Sequence, residues 1–363
     1  MKGSRKRIIN MALILGTLAV VLVIGISDNS IGDAWEAVRR MSLAWVILAV
    51  VCYFCYLMMD AVAIHFFLKR QGYHVSFPRL CFISVVGQYY SNITPGASGG
   101  QPMQIYYLYQ DRVPTAIATS AIAMRFFCFQ FMLSFFAALF WILFGGFIDE
   151  HVGAQKWILI VGFCYNAVMV TLVTSLALCT PAIKKLIAFA VKIATKFRWV
   201  KKPQELSEKA NQAVEVFHDS LTSYRKRPWD MLVQLIIGGI QLIALMSVIY
   251  CIYRGLGLVE ESYIHLVALN VMEFISAAYA PLPGASGASE GVFSMYFGKI
   301  FPDGYSFAAL LLWRFFTYYI SLILGVVVVM VHGIREGKTF KEVTREGDQV
   351  LEASSKKTVE QDS

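Results

Sequence analysis

The sequence predicts an all-α integral membrane protein, an inverted-topology repeat of about six full spans plus two broken re-entrant helical hairpins. Three observations lead there. The 363-residue chain is 57% hydrophobic and only 15% charged, too apolar for a water-soluble domain and rich in runs long enough to cross a bilayer. The stretch Pro95-Gly96-Ala97-Ser98-Gly99 returns as Pro283-Gly284-Ala285-Ser286-Gly287. Each copy is followed by Arg-Phe-Phe within an apolar run, Arg125-Phe126-Phe127 and Arg314-Phe315-Phe316.

The net charge of +8 belongs to basic residues flanking apolar runs, where cytoplasmic loops carry them, so no nucleic-acid partner is expected. The seven cysteines fall almost entirely within apolar runs, where a thiol acts as a small hydrophobe, and imply no disulfide framework. Cys52 and Cys55 have the spacing of a redox or zinc pair, but no second pair lies nearby.

Lys2, Arg5, Lys6 and Arg7 precede Ile8 to Ile26, a run longer than a signal-peptide core and therefore a retained first span with a cytoplasmic N-terminus. Asp28 to Arg40 is an outside loop, and Leu43 to Leu68 returns to Lys69 and Arg70. Leu80 to Gln110 is apolar yet broken by Gly87, Asn92, Pro95, Gly96, Gly99, Gly100 and Pro102, with Arg79 and Arg112 at its ends. Backbone broken in this way survives at membrane depth only inside protein or beside a cavity, which suggests a hairpin dipping in from the cytoplasmic side. Pro114 to Phe147 crosses outward with Arg125, Asp149-Glu150-His151 is a turn, and Trp157 to Cys179 crosses back.

The basic segment 183–227 is cytoplasmic. In it Lys184, Lys185, Lys192, Lys196 and Arg198 interleave with apolar residues, the pattern either of a helix on an anionic membrane surface or of a solvated linker. A second helix is expected over Glu205 to Tyr224. Pro228 to Tyr253 spans outward to Glu260 and Glu261, Tyr263 to Phe301 is the second broken element, and Phe307 to Val331 returns to Arg335, Lys338 and Lys341. The expected division is a transmembrane unit over 1–334, with repeat one at about 8–147 and repeat two at about 157–332, and a disordered polar tail over 335–363. Each half reads span, span, broken hairpin, Arg-bearing span, the first hairpin entering from inside and the second from outside. Transporters built this way bind their cargo where the discontinuous helices meet.

Candidate binding residues follow from the breaks. Gly96, Ser98, Gly99, Gly100 and Gln101 in one copy, and Gly284, Ser286 and Gly287 in the other, permit tight turns ahead of half-helices Gly100–Tyr109 and Ala288–Lys299. Such N-termini attract anions, and a phospholipid phosphate is the natural anion at that depth; alternatively, the glycines serve close helix packing. Arg125 and Arg314 lie deep in apolar runs, where an arginine costs about 2.5 to 3.5 kcal/mol on insertion scales. Their guanidinium forks fit phosphate or, alternatively, the carbonyls freed at the breaks. Glu290 follows the second break and Glu273 precedes it, whereas the first copy has Gln101 in roughly the place of Glu290. Either carboxylate could pair with an arginine, take a proton during transport or meet a cationic headgroup. Tyr89, Tyr90, Tyr106 and Tyr107 are candidates for lining the path.

No catalytic constellation emerges. Gly96-x-Ser98-x-Gly100 matches a nucleophile elbow by letters but lacks the preceding strand. The six histidines are scattered without metal-ligand spacing, and no nucleotide-phosphate loop occurs. No metal or cofactor is expected.

With both breaks in view, the sequence resembles the transmembrane part of the lysylphosphatidylglycerol synthase family, also called multiple peptide resistance factor, and its stand-alone flippase-like relatives. The resemblance runs from about Ile8 to Arg335. Its most specific pieces are Thr94 to Gln104 with Tyr106-Tyr107-Leu108, and Pro283 to Gly291. It implies a membrane domain that flips an anionic or lysyl-modified phosphatidylglycerol to the outer leaflet, lowering negative surface charge and protecting against cationic antimicrobial peptides. Full-length members also carry a soluble domain that transfers lysine from charged tRNA, and this chain is expected to lack it. The expectation is therefore a lipid flippase of a bacterial cytoplasmic membrane with both termini cytoplasmic. The alternative is phosphatidylglycerol lysyltransferase activity, or the membrane subunit of a two-chain synthase. A separate synthase subunit and self-association stay open.

Overall fold

The computed structural model describes residues 36, 38–178, 227–302 and 304–335. The expected first span, nearly all of the basic segment 183–227 including the helix over Glu205 to Tyr224, and the tail beyond Arg335 lie outside the described residues. Among the described residues the protein is all-helical. In chain order the helices are α1 (Leu43–Arg70), α2 (Phe77–Ile93), α3 (Gly100–Gln110), α4 (Thr115–Val152), α5 (Lys156–Leu178), α6 (Pro228–Gly255), α7 (Tyr263–Ala277), α8 (Ala288–Phe297), α9 (Ser306–Arg314) and α10 (Ile320–Arg335).

Among the described residues four helical stretches are long and apolar enough to cross a membrane: Leu43–Arg70, Thr115–Thr171, Pro228–Gly255 and Ser306–Gly333. The second folds back on itself. Gly153, with φ of 56°, ends α4, and α5 returns alongside it, so that Ser134 bonds Asn166 at 2.5 Å and Trp141 meets Phe163. This corrects the expected turn at Asp149-Glu150-His151, which instead forms the last turn of α4. The apolar run ending at Phe147 suggested an earlier stop, but the chain stays helical until a glycine supplies the positive φ that reverses it. Pro78 and Pro228 fall in the first turns of α2 and α6, where a missing N–H costs nothing.

The core sits in two parts, one around each broken element. Leu80, Ile83, Val86, Met103, Leu108 and Ile122 join α2, α3 and the first half of α4. Leu242, Ile249, Leu269, Met272, Phe293 and Trp313 join α6, α7, α8 and α9 with the start of α1. Ile47, Val51, Phe135, Ile142, Val168 and Ile236 are exposed, as outward-facing residues of membrane helices are in the absence of lipid. Helix α9 continues into α10 through a π-helical turn, Phe315–Tyr319, which the apolar run did not foretell.

The two broken elements take different ends of α4. Arg79 at the start of α2 bonds Asp111 at the end of α3 at 2.8 Å, beside the start of α4. At the opposite end of α4, His265 of α7 stacks on Phe147 at 4.2 Å, and Lys299 after α8 donates to the Glu150 carbonyl at 3.0 Å.

Candidate functional site

Both breaks fold alike over Pro-Gly-Ala and then diverge, although Ser and Gly follow in both. In the first, Gly96 and Ala97 take φ of 59° and 54°; in the second, Gly284 and Ala285 take 60° and 51°. Two successive left-handed residues reverse the chain in each, although a non-glycine residue there costs about 1–2 kcal/mol. Matched backbone bonds close the turns, Ala97 to Thr94 at 3.2 Å and Ala285 to Leu282 at 3.0 Å. Ser98 then continues in right-handed helical geometry, whereas Ser286 is extended and Gly287 swings to φ of 87°.

The half-helices start with their donors partly claimed. Thr94 Oγ1 accepts the N–H of Gly99 at 2.8 Å, and Glu290 Oε2 accepts that of Gly287 at 2.6 Å. Gly100 lies so close to Ser91 and the Gly87 carbonyl that a Cβ would overlap both, so this glycine serves close packing of α2 and α3. Gly96 has open space and needs only its positive φ, whereas a Cβ on Gly284 would overlap the Tyr318 ring. Residues Pro95 to Ser98 are exposed, whereas Ser286 is buried.

Arg125 forms an ion pair with Asp60 of α1. The same carboxylate accepts from Gln104 Nε2 at 3.1 Å and Gln241 Nε2 at 3.3 Å, and Arg125 Nη2 donates to Gln104 Oε1 at 3.5 Å. Helices α1, α3, α4 and α6 therefore meet on one charge pair. Beside it lies a polar cavity of about 20 Å³, lined by Tyr56, Ser84, Gln88, Ser91 and Gln104, large enough for a water. Arg125 Nε, Ser84 Oγ and Gln241 Oε1 have no hydrogen-bond partner among the described residues. Gln104 reaches the arginine; Gln101, one helical turn earlier, stands half-buried outside this network.

Arg314 sits in the matching position at the end of α9. Its Nη2 donates to Glu290 Oε2 at 2.7 Å and its Nη1 to the Gly284 carbonyl at 3.3 Å. Pairing with an acid and binding a freed carbonyl, two roles open to it from sequence, are thus combined. Trp313 and Tyr318 lie against the guanidinium at 5.1 and 5.6 Å, and the π turn carries Tyr318 to this place. Glu273 of α7 is 1% exposed, and among the described residues it forms no ion pair and its Oε1 has no hydrogen-bond partner. It does not make the structural ion pair that its position allowed.

The halves touch at the breaks themselves, where the Pro95–Ala97 turn packs on Pro283–Ala285. Asn92 bonds Ser321 through its side-chain amide, and its carbonyl accepts from Tyr318 Oη at 3.4 Å. Among the described residues no group of three or more His, Cys, Asp or Glu side chains could hold a metal ion. Tyr89 and Tyr90 pack edge to face, as do Tyr106 and Tyr107.

Asp60, Gln104 and Gln241 were missed in the sequence. A signal for Asp60 existed: a lone carboxylate in the middle of an apolar run is as costly as the arginines that were singled out.

The model for the lysylphosphatidylglycerol synthase TM region matches residues 8–325 of this chain. The chain is also similar to the UPF0104 membrane protein MJ1595 of Methanocaldococcus jannaschii, at 23% identity over 279 residues, which cover 73% of this chain and 78% of that protein. The family match takes in both breaks, both arginines and both acids that pair with them, and the chain is a multi-pass membrane protein belonging to the lysylphosphatidylglycerol synthase TM-region family.

Proposed function

We propose that this protein moves a phosphate-bearing phospholipid between leaflets, with an anionic or lysyl-modified phosphatidylglycerol as the family-derived candidate. The observation that carries the reading is the meeting of the two breaks, each with an arginine, Arg125 half-buried and Arg314 buried, held by an acid of its own. Interrupted helices and buried charges are both unfavourable inside a bilayer, and transporters place them where cargo binds.

Geometry supports an inverted repeat of two re-entrant hairpins. The ends of the first hairpin lie at one end of α4 and those of the second at the other, across a helix of 38 residues, about 57 Å long at 1.5 Å per residue. Arg125 is ten residues into α4 and Arg314 eight into α9, or about 15 and 12 Å along their helices from the starts. Pro95 to Ser98 are exposed whereas Pro283 to Ser286 are half-buried or buried, a difference that fits a protein open on one side.

Both guanidinium groups are already occupied, so a lipid phosphate binds by displacing Asp60 or Glu290. A bidentate fork makes that exchange between two anions of similar geometry. The setting is a bacterial cytoplasmic membrane with both termini inside, and the physiological outcome is reduced negative charge on the outer leaflet, with resistance to cationic peptides.

A leaflet-resolved assay in proteoliposomes tests this, with labelled phosphatidylglycerol and its lysyl form. Arg125→Ala and Arg314→Ala, folded by circular dichroism, each lose roughly tenfold or more of the movement, the weight of one charge-assisted bond. Wild-type rates in both variants would overturn the reading.

A further inference from the structure

The two arginine sites do not balance alike. In the first half one guanidinium, Arg125, meets one carboxylate, Asp60. In the second, Arg314 donates to Glu290 and the Gly284 carbonyl while its Nε has no partner among the described residues, and a further carboxyl, Glu273, is 1% exposed and within electrostatic reach of both. The charged groups of the described residues that face Glu273 are Arg314 and Glu290. Tyr296 is the other titratable neighbour from α8, held to Ser276 of α7 at 3.0 Å. Helices α4, α5 and α6, packed on the remaining faces of α7, add no charge to this set among the described residues.

An ionised Glu273 would leave the cluster with one uncompensated negative charge shielded from solvent. An unpaired buried charge is unfavourable, and a buried carboxyl in this position binds a proton instead. The same balance changes when an anion arrives. A phosphodiester on Arg314 displaces Glu290, which then becomes the uncompensated carboxylate and takes up a proton in turn.

We propose that Glu273 and Glu290 form a proton-binding pair that holds one proton in the conformation described, on Glu273, and a second, on Glu290, when an anionic lipid claims Arg314. Lipid and proton then move in the same direction as a neutral unit. The coupling rests on the lipid-translocation reading; the proton on Glu273 does not. Among the described residues no surplus carboxyl pairs with Arg125 in the first half, so this proton inventory belongs to one repeat alone.

The test has two arms. Infrared difference spectra of the purified, lipid-free protein are expected to show a buried carboxylic C=O stretch that is lost in Glu273→Gln, shifted in Glu273→Asp and kept in Glu290→Gln. A band unaffected by both substitutions at Glu273 would show that Glu273 is ionised and would overturn the proposal. In the second arm, phosphatidylglycerol is added to the protein in weakly buffered detergent with a pH indicator. Wild type and Glu273→Gln are expected to take up about one proton per lipid bound, and Glu290→Gln none. Lipid binding without proton uptake by wild type would overturn the coupling. No lipid binding at all would sink the translocation reading and the second proton with it, while the infrared arm still decides Glu273.

Discussion

Arg314 and Glu290 meet at 2.7 Å, and the carboxylate oxygen that binds the guanidinium also accepts the N–H of Gly287 at 2.6 Å. One acid therefore starts a half-helix and neutralises a cation. The halves of the protein solve the same problem with different parts, because Asp60 reaches Arg125 from another helix altogether.

Asp60→Asn leaves Arg125 buried without its counter-charge, and breaking such a pair from one side costs about 3–5 kcal/mol. Asp60→Asn combined with Arg125→Gln keeps hydrogen-bonding groups for Gln104 and Gln241 while removing both charges. Thermal unfolding in detergent should find the single variant strongly destabilised and the double variant restored for the most part. Lipid movement by the double variant should remain lost.

Arg314→Lys keeps the charge but not the fork. Arg314 binds Glu290 and the Gly284 carbonyl through separate nitrogens, and a point ammonium cannot reproduce that planar pair of contacts. Movement of labelled phosphatidylglycerol in proteoliposomes should fall roughly tenfold, in keeping with the loss of one charge-assisted bond. A wild-type rate would mean that only the charge matters at this position.

Gly96→Ala and Gly284→Ala share a left-handed backbone but differ in surroundings. The first pays only the conformational cost, about 1–2 kcal/mol. The second meets the Tyr318 ring as well and must displace it, adding overpacking of about 1–3 kcal/mol. Melting temperatures of the two variants, measured side by side, should fall in that order.

Asn92 and Ser321 tie the first break to α10 across the centre. Asn92→Leu removes the bond and leaves the hydroxyl of Ser321 with its bond to the Tyr318 carbonyl, for a loss of about 1–3 kcal/mol. A double-mutant cycle with Ser321→Ala should return a coupling energy of at least about 0.5 kcal/mol. Additivity of the two changes would show that the contact carries no energy between the halves.

Much of this architecture was legible residue by residue. The run from Leu43 is apolar enough to cross a membrane, the prolines and glycines at 95–100 and 283–287 interrupt helices wherever they are placed, and both breaks fold at the expected residues. The end of α4 was less legible, since Asp149-Glu150-His151 reads as a turn while Gly153 makes it. The π turn after Arg314 and the positive φ of Ala97 and Ala285 left no mark in the letters.

By itself the sequence determined where the described residues form long apolar helices, where two elements break and which arginines lie in apolar runs, because run length, ring closure in proline and the missing Cβ of glycine act on neighbouring residues. Only the tertiary structure decided who answers those cations. Asp60 lies 65 residues from Arg125 and Gln241 lies 181 from Asp60, and Glu273 was left without a counter-charge although its neighbour Glu290 has one. Those outcomes depend on which helix faces pack together, and packing joins residues whose separation along the chain carries no local signal.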